Sequence, residues 1–150
     1  MSLVNLGTTG NSLQKTGGCG GCADASAVSE PQIASGNGIL EFVASETGTL
    51  RLIGLDSGGM STGPGDIRFA MRLQGRTVEV REAGAYKAES SFASGDTFRI
   101  AVENGTVKYV KNGAVFYTSA NPAGQGLRVH AVLYELNATL RDIVIKTAPR

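Results

Sequence analysis

"TVKYVKNGAVFYTS", residues 106–119, holds an Asn-Gly pair at positions 112 and 113, and a second pair, Asn104-Gly105, lies just upstream. A two-residue Asn-Gly loop between alternating residues is the strongest short-range hairpin signal, because both loop positions need positive φ. A turn at Asn104-Gly105 sets Glu103 opposite Thr106, Val102 opposite Val107, Ala101 opposite Lys108, Ile100 opposite Tyr109 and Arg99 opposite Val110. A turn at Asn112-Gly113 sets Val110 opposite Val115, Tyr109 opposite Phe116 and Lys108 opposite Tyr117. The two registers agree. Ile100, Val102, Val107, Tyr109 and Phe116 form a core face, and Arg99, Ala101, Lys108, Val110, Val115 and Tyr117 form the opposite one. A one-residue slip would exchange the faces, so the agreement has content.

Working outward, "DIRFAMRLQGRTVEVRE" (66–82) alternates in the same way. A loop at Gln74-Gly75 predicts a second hairpin with Met71 opposite Val78 and Phe69 opposite Val80. Further strands are expected in 38–44, 49–55, 97–103, 127–134 and 139–147, with weaker ones near Leu13 and Ala85. Many short strands separated by Gly-rich turns imply an all-β, antiparallel sandwich, which we read as a jelly roll of two sheets. The 21 Gly and only 4 Pro suit such punctuation and leave no room for a long helix. Residues 1–35 are poor in large apolar side chains and are expected to supply an edge strand and long loops.

The chain has 150 residues and 41% hydrophobic content, enough for one β-sandwich domain across 1–150 that buries roughly 70% of the surface its unfolded form exposes. With 14 basic and 13 acidic side chains the net charge is +1, so no strong field singles out a polyanion. Neither nucleic acid nor membrane insertion is expected: no apolar run approaches the ~20 residues of a membrane span. "MSLVNLGTTG" lacks the charged and apolar regions of a secretory signal, so an extracellular or cell-surface place is expected only for a domain of a larger exported protein.

The string "SGDTFRIAVENGTVKYVKNGAVFYTS" (94–119) resembles a segment of bacterial domains in the concanavalin A-like lectin/glucanase superfamily, and is similar to the "GD…G…V.FYKNG" stretch of SPRY domains. "GILEFVASETGTLRLIGL" and "LRVHAVLYELNATLRDIVI" fit the same layout, so the resemblance covers about residues 36–147. It implies a concanavalin A-like sandwich of the laminin-G and SPRY kind, used as a binding or accessory module that in some members recognises glycans. The Glu-x-Asp-x-x-Glu motif of the superfamily's glucanases does not occur here, which removes the warrant for hydrolysis by that route.

The polar face of the central hairpins is the candidate binding surface: Arg99, Lys108 and Tyr117, joined by Arg68, Arg72 and Arg81 if the second hairpin belongs to the same sheet. Guanidinium groups beside a phenol suit hydrogen bonding to, and stacking on, a sugar or an anionic polymer. An ordinary hydrated face has the same composition, and the absence of Trp counts against a stacking platform.

Cys19 and Cys22 have Cys-x-x-Cys spacing, but His130 is the only other N/S ligand, too few for structural zinc in one chain. A small loop disulfide or two thiols without catalytic role is the leading reading, followed by a link to another chain or a shared metal, with redox catalysis last. His130 has no nucleophile-elbow partner and reads as structural. The acidic pairs Glu41/Glu46 and Glu79/Glu82 are of a kind any sandwich offers. The loop from Asp56 to Asp66 is rich in oxygen ligands without EF-hand spacing, leaving calcium as the one cofactor open.

The expected function is therefore non-enzymatic: a surface module that binds a carbohydrate or cell-surface polymer. The alternative is a structural subunit of an extracellular or virion-type assembly that meets its own copies, and a glycoside hydrolase is third.

Overall fold

The computed structural model describes residues 2–29, 33, 37–56, 67–124 and 126–148. Its strands are β1 (Ser2–Val4), β2 (Leu6–Thr9), β3 (Ser12–Lys15), β4 (Ala25–Val28), β5 (Asn37–Ala44), β6 (Arg51–Asp56), β7 (Phe69–Gln74), β8 (Thr77–Glu82), β9 (Ala85–Ser91), β10 (Asp96–Glu103), β11 (Thr106–Lys111), β12 (Ala114–Pro122), β13 (Arg128–Leu133) and β14 (Thr139–Ala148). They form two seven-stranded antiparallel sheets, ordered β1-β4-β13-β6-β7-β8-β9 and β12-β11-β10-β5-β14-β3-β2. This is the jelly-roll sandwich that the strand pattern implied.

The core lies between the sheets. Ile53, Leu55, Phe69, Met71, Leu73, Val78 and Val80 of the first sheet meet Leu40, Phe42, Phe98, Ile100, Val107 and Tyr109 of the second, all fully buried. Phe98 stacks on Phe42 at 5.6 Å and receives the edge of Phe92 at 6.0 Å. Each such side chain contributes roughly 1.5–3 kcal/mol by leaving water. The first sheet buries part of its outer face as well, where Leu52, Ile67, Ala70 and Val132 form a smaller cluster.

The β10–β11 register follows the sequence reading pair for pair, from Glu103 opposite Thr106 to Arg99 opposite Val110. Asn104, Gly105, Asn112 and Gly113 all take positive φ, as such loops demand. Elsewhere the structure departs from expectation. The β7–β8 loop is Gly75-Arg76, so Met71 faces Val80 and Leu73 faces Val78. Of the residues flanking this turn only Gly75 has positive φ, which puts glycine first in the loop. Because the slip spares the period of two, every residue keeps its face.

The β11–β12 pair holds the second departure. Val110 faces Val115, but a bulge follows and Tyr109 faces Tyr117 instead of Phe116. The extra residue turns Tyr117 inward, its ring 5.8 Å from that of Tyr109. The third concerns the first 35 residues, which contain four strands and not one: β1 and β2 are edges, whereas β4 lies between β1 and β13. β4 reads "ASAV" and is buried on both faces, so small side chains, not large apolar ones, fit it into the sheet.

Candidate functional site

Pairing places the two groups of expected ligand residues on opposite sides of the molecule. β7 and β8 belong to the first sheet, β10 and β11 to the second. Arg72 and Arg81 therefore stand on one outer face, Arg99 and Lys108 on the other, and Tyr117 on neither. Arg68, just before β7, points to the end of the sandwich, where it donates to the Pro122 carbonyl at 2.8 Å.

On the second sheet's face the two expected cations are each closed by a carboxylate: Arg99 Nε lies 2.5 Å from Glu41, and Lys108 Nζ 3.0 Å from Glu103. Paired and solvated, neither of these two offers much free charge to a ligand.

The first sheet's outer face differs. Its cross-strand rows, read from the pairings, run His130–Gly54–Ala70–Arg81–Tyr86 and Val132–Leu52–Arg72–Glu79–Glu89. Gly54 and Ala70 are both buried, Ala70 within the cluster of Leu52, Ile67 and Val132. No Cβ fits at Gly54, where one would stand 1.9 Å from the Phe69 carbonyl oxygen. Around Gly54 and Ala70 stand Arg72, Arg81, Tyr86 and, on the neighbouring row opposite Asp56, Arg128.

Glu79 organises the cluster. Arg81 donates to Glu79 Oε1 from Nε at 3.0 Å and from the terminal nitrogen at 2.8 Å, and its guanidinium lies over the Tyr86 ring at 5.6 Å. The Tyr86 hydroxyl donates to Glu89 at 2.9 Å, which raises the phenol's pKa, and half the residue is open to solvent. Arg72 reaches the same Glu79 oxygen only at 3.6 Å and makes no hydrogen bond among the described residues. Two guanidiniums thus share one carboxylate, and a third, Arg128, has no hydrogen bond or ion pair among the described residues. Burial raises the pKa of the nearby Tyr134 hydroxyl, and the Arg72 charge opposes that shift.

His130 is fully buried, its Nδ1 3.7 Å from Asp56 Oδ2. Asp56 turns towards this imidazole; Asp66, its expected companion in a calcium loop, lies outside the described residues. Among the described residues no group of three His, Cys, Asp or Glu side chains assembles as a metal site.

Cys19 and Cys22 form a disulfide with Cα atoms 5.3 Å apart. Their loop wraps a buried ammonium. Lys15 Nζ donates to the carbonyls of Cys19 (2.5 Å), Cys22 (3.0 Å) and Tyr134 (2.6 Å) and to Asp24 Oδ1 (2.6 Å).

No protein-family model matches the chain, and no curated protein matches it in sequence. Solved structures do. The SPRY domain of human HERC1 superposes with a TM-score of 0.67 at 13% identity, covering 93% of this chain and 90% of that one. The carbohydrate recognition domain of Emp46p gives 0.62 at 12%, covering 96% and 85%. The polysaccharide lyase family 7 alginate lyase AlgAT5 gives 0.60 at 18%, covering 92% and 69%. The fold is a concanavalin A-like jelly roll. At these identities the likeness is one of architecture, so the concanavalin A-like frame positions residues without assigning them roles.

Sequence reasoning singled out Arg72 and Arg81 but not their neighbours in the folded chain, Tyr86, Arg128 and Glu79 as the carboxylate the two arginines share. The signal for Tyr86 was the weak strand near Ala85, which becomes β9 and brings the ring opposite Arg81.

Proposed function

We propose that this domain is a non-catalytic carbohydrate-binding module whose ligand lies on the outer face of the first sheet, against Arg72, Arg81 and Tyr86. The observation that carries the reading is the Arg81–Tyr86 stack, held by Glu79 beside the Arg72 guanidinium, which makes no hydrogen bond among the described residues. An exposed ring edge and fixed donors are what a sugar's apolar face and hydroxyls require. Carbohydrate recognition domains and an alginate lyase share the fold, which supports a saccharide ligand. Binding is favoured over turnover because the single histidine is fully buried and Glu79 is occupied by arginine.

The test is calorimetric titration of a saccharide panel against the native chain, Arg81→Ala and Tyr86→Ala. Loss of binding in both variants at unchanged melting temperature is expected; retention in both removes the reading. A second reading, assembly with other copies, draws on edge strand β1, where Leu3 and Val4 are 39% and 41% exposed. Light scattering after size exclusion tests it, and a strict monomer rules it out.

A further inference from the structure

We infer that the Cys19–Cys22 disulfide is a redox lock: oxidised, it holds a clamp on the Lys15 ammonium that ties the two sheets together at one end, and reduction by a dithiol opens that end. The inference goes beyond the carbohydrate reading and does not rest on it.

The clamp sits where the chain passes from one sheet to the other. Lys15 ends β3 in the second sheet, the disulfide loop follows it, and β4 begins at Ala25 in the first sheet. Lys15 Nζ is held from both sides. The carbonyls of Cys19 and Cys22 and Asp24 Oδ1 belong to the crossing loop, and the Tyr134 carbonyl follows β13 of the first sheet. The loop also holds Tyr134 directly, for the Gly21 N–H donates to the same carbonyl at 2.9 Å. Asp24 Oδ2 accepts from the Cys19 N–H at 2.8 Å, so the one carboxylate of the clamp braces the loop as well. The ammonium these oxygens enclose belongs to a fully buried side chain.

The bond between the sulfurs keeps the loop in this shape. Residues 17–22 read "GGCGGC", a segment with many open conformations, and the closed turn has one backbone hydrogen bond of its own, from the Cys22 N–H to the Cys19 carbonyl at 3.3 Å. Joining Cys19 to Cys22 removes much of that freedom and favours the closed loop on the order of tenfold. When the loop opens, Lys15 loses two of its four acceptors. A buried charge left short of acceptors draws in water, so the loosening spreads from the loop to β3 and to Tyr134. Tyr134 and Ala23 both pack against the cluster of Leu52, Ile67, Ala70 and Val132, which carries the change into the first sheet.

The lock is open to a reductant. Cys19 is exposed and Cys22 half-buried, so an attacking thiolate meets Cys19 Sγ. A dithiol forms a mixed disulfide with Cys19 and expels Cys22 as a thiolate, which takes up a proton. Its second thiol then displaces Cys19, so two electrons and two protons pass to the cysteines and the dithiol leaves as its cyclic disulfide.

Hydrogen exchange of the full chain, followed by mass spectrometry before and after treatment with dithiothreitol, tests the lock, with thiol titration to establish the redox state. Expected are exchange about tenfold faster in residues 13–24 and 133–138 of the reduced chain, an unchanged rate in the β10–β11 hairpin, and recovery on reoxidation. The double variant Cys19→Ser/Cys22→Ser should show the fast pattern with and without dithiothreitol. In Lys15→Met the clamp is already gone, so reduction should change exchange at 133–138 by less than about twofold. Equal exchange in the two redox states overturns the inference, and so does a disulfide that dithiothreitol leaves intact in the folded chain. Acceleration confined to residues 16–24 makes the disulfide a local tether and overturns the inference too, as does an equal response at 133–138 in the native chain and Lys15→Met. The native comparison needs no substitution, so it decides the matter even where Lys15→Met fails to fold.

Discussion

The Tyr109 hydroxyl, on the second sheet, donates to Glu82 Oε2 of the first at 2.9 Å, so a polar bond crosses the sandwich near one end of the core. Ser119 and Asn121 from β12 donate to the other oxygen of the same carboxylate, at 2.9 and 2.7 Å. Burial and the adjacent carboxylate push the Tyr109 phenol far above its ordinary pKa, so it acts as a donor throughout the working pH range. Tyr109→Phe keeps the ring packing and removes only this bond. Hydrogen bonds to charged groups are worth about 1.5–3 kcal/mol, and that loss is expected in urea unfolding with an unchanged m-value.

The ammonium cage of Lys15 makes a second prediction. Lys15→Met leaves the carbonyls of Cys19, Cys22 and Tyr134 without their charged donor, and a loss of at least about 2 kcal/mol is expected. The Asp24 carboxyl is held below its usual 3.8 by the hydrogen bond from Lys15 and then by the Cys19 N–H. A lowered folded-state value contributes stability that is present above the unfolded pKa and is lost as pH falls through the folded one. Melting temperature followed from pH 6 to 2 should therefore drop below about pH 4, and Asp24→Asn should flatten that limb. An acid limb identical in the variant would show that Asp24 is not its source.

Two glycines separate turn conformation from close approach. Gly113 has φ +86° with open space around it, so Gly113→Ala should cost only the left-handed penalty of about 1–2 kcal/mol. A Cβ on Gly54 would meet the Phe69 carbonyl at 1.9 Å and the Ala70 Cα at 2.7 Å, both backbone atoms. Gly54→Ala must push β6 from β7, with about 3 kcal/mol or more lost. Equal denaturation midpoints for the two variants would refute this contrast.

The same logic explains what the sequence could and could not disclose. The Asn104-Gly105 hairpin was legible because both loop positions carry residues that accept positive φ, which pins the register locally. The Gly75-Arg76 loop was displaced by one residue, since a lone glycine fits either loop position, yet alternation preserved the faces. The bulge after Val110 was not legible: nothing in "AVFY" marks the extra residue, and it turned Tyr117 from the expected outer face to a partly buried place against the core. Sheet membership was equally hidden. β7 and β8 alternate like β10 and β11, and only distant pairings, β6 with β7 and β5 with β10, put them in different sheets. The Lys15 cage joins residue 15 to residue 134, a closure no local pattern encodes.

That sheet assignment gives the last prediction. If Arg68, Arg72, Arg81, Arg99 and Lys108 had shared one face, removal of any of them would weaken ligand binding alike. In the folded chain Arg99 and Lys108 are separated from Arg72 and Arg81 by the whole core and are already paired with Glu41 and Glu103. Arg99→Ala and Lys108→Ala should therefore leave saccharide affinity within about twofold and stability within about 0.5 kcal/mol, as exposed ion pairs do. Arg81→Ala should abolish binding, because the Tyr86 ring loses the guanidinium stacked on it and Glu79 is released towards the ligand. A titration in which Arg99→Ala matters and Arg81→Ala does not would move the site to the second sheet.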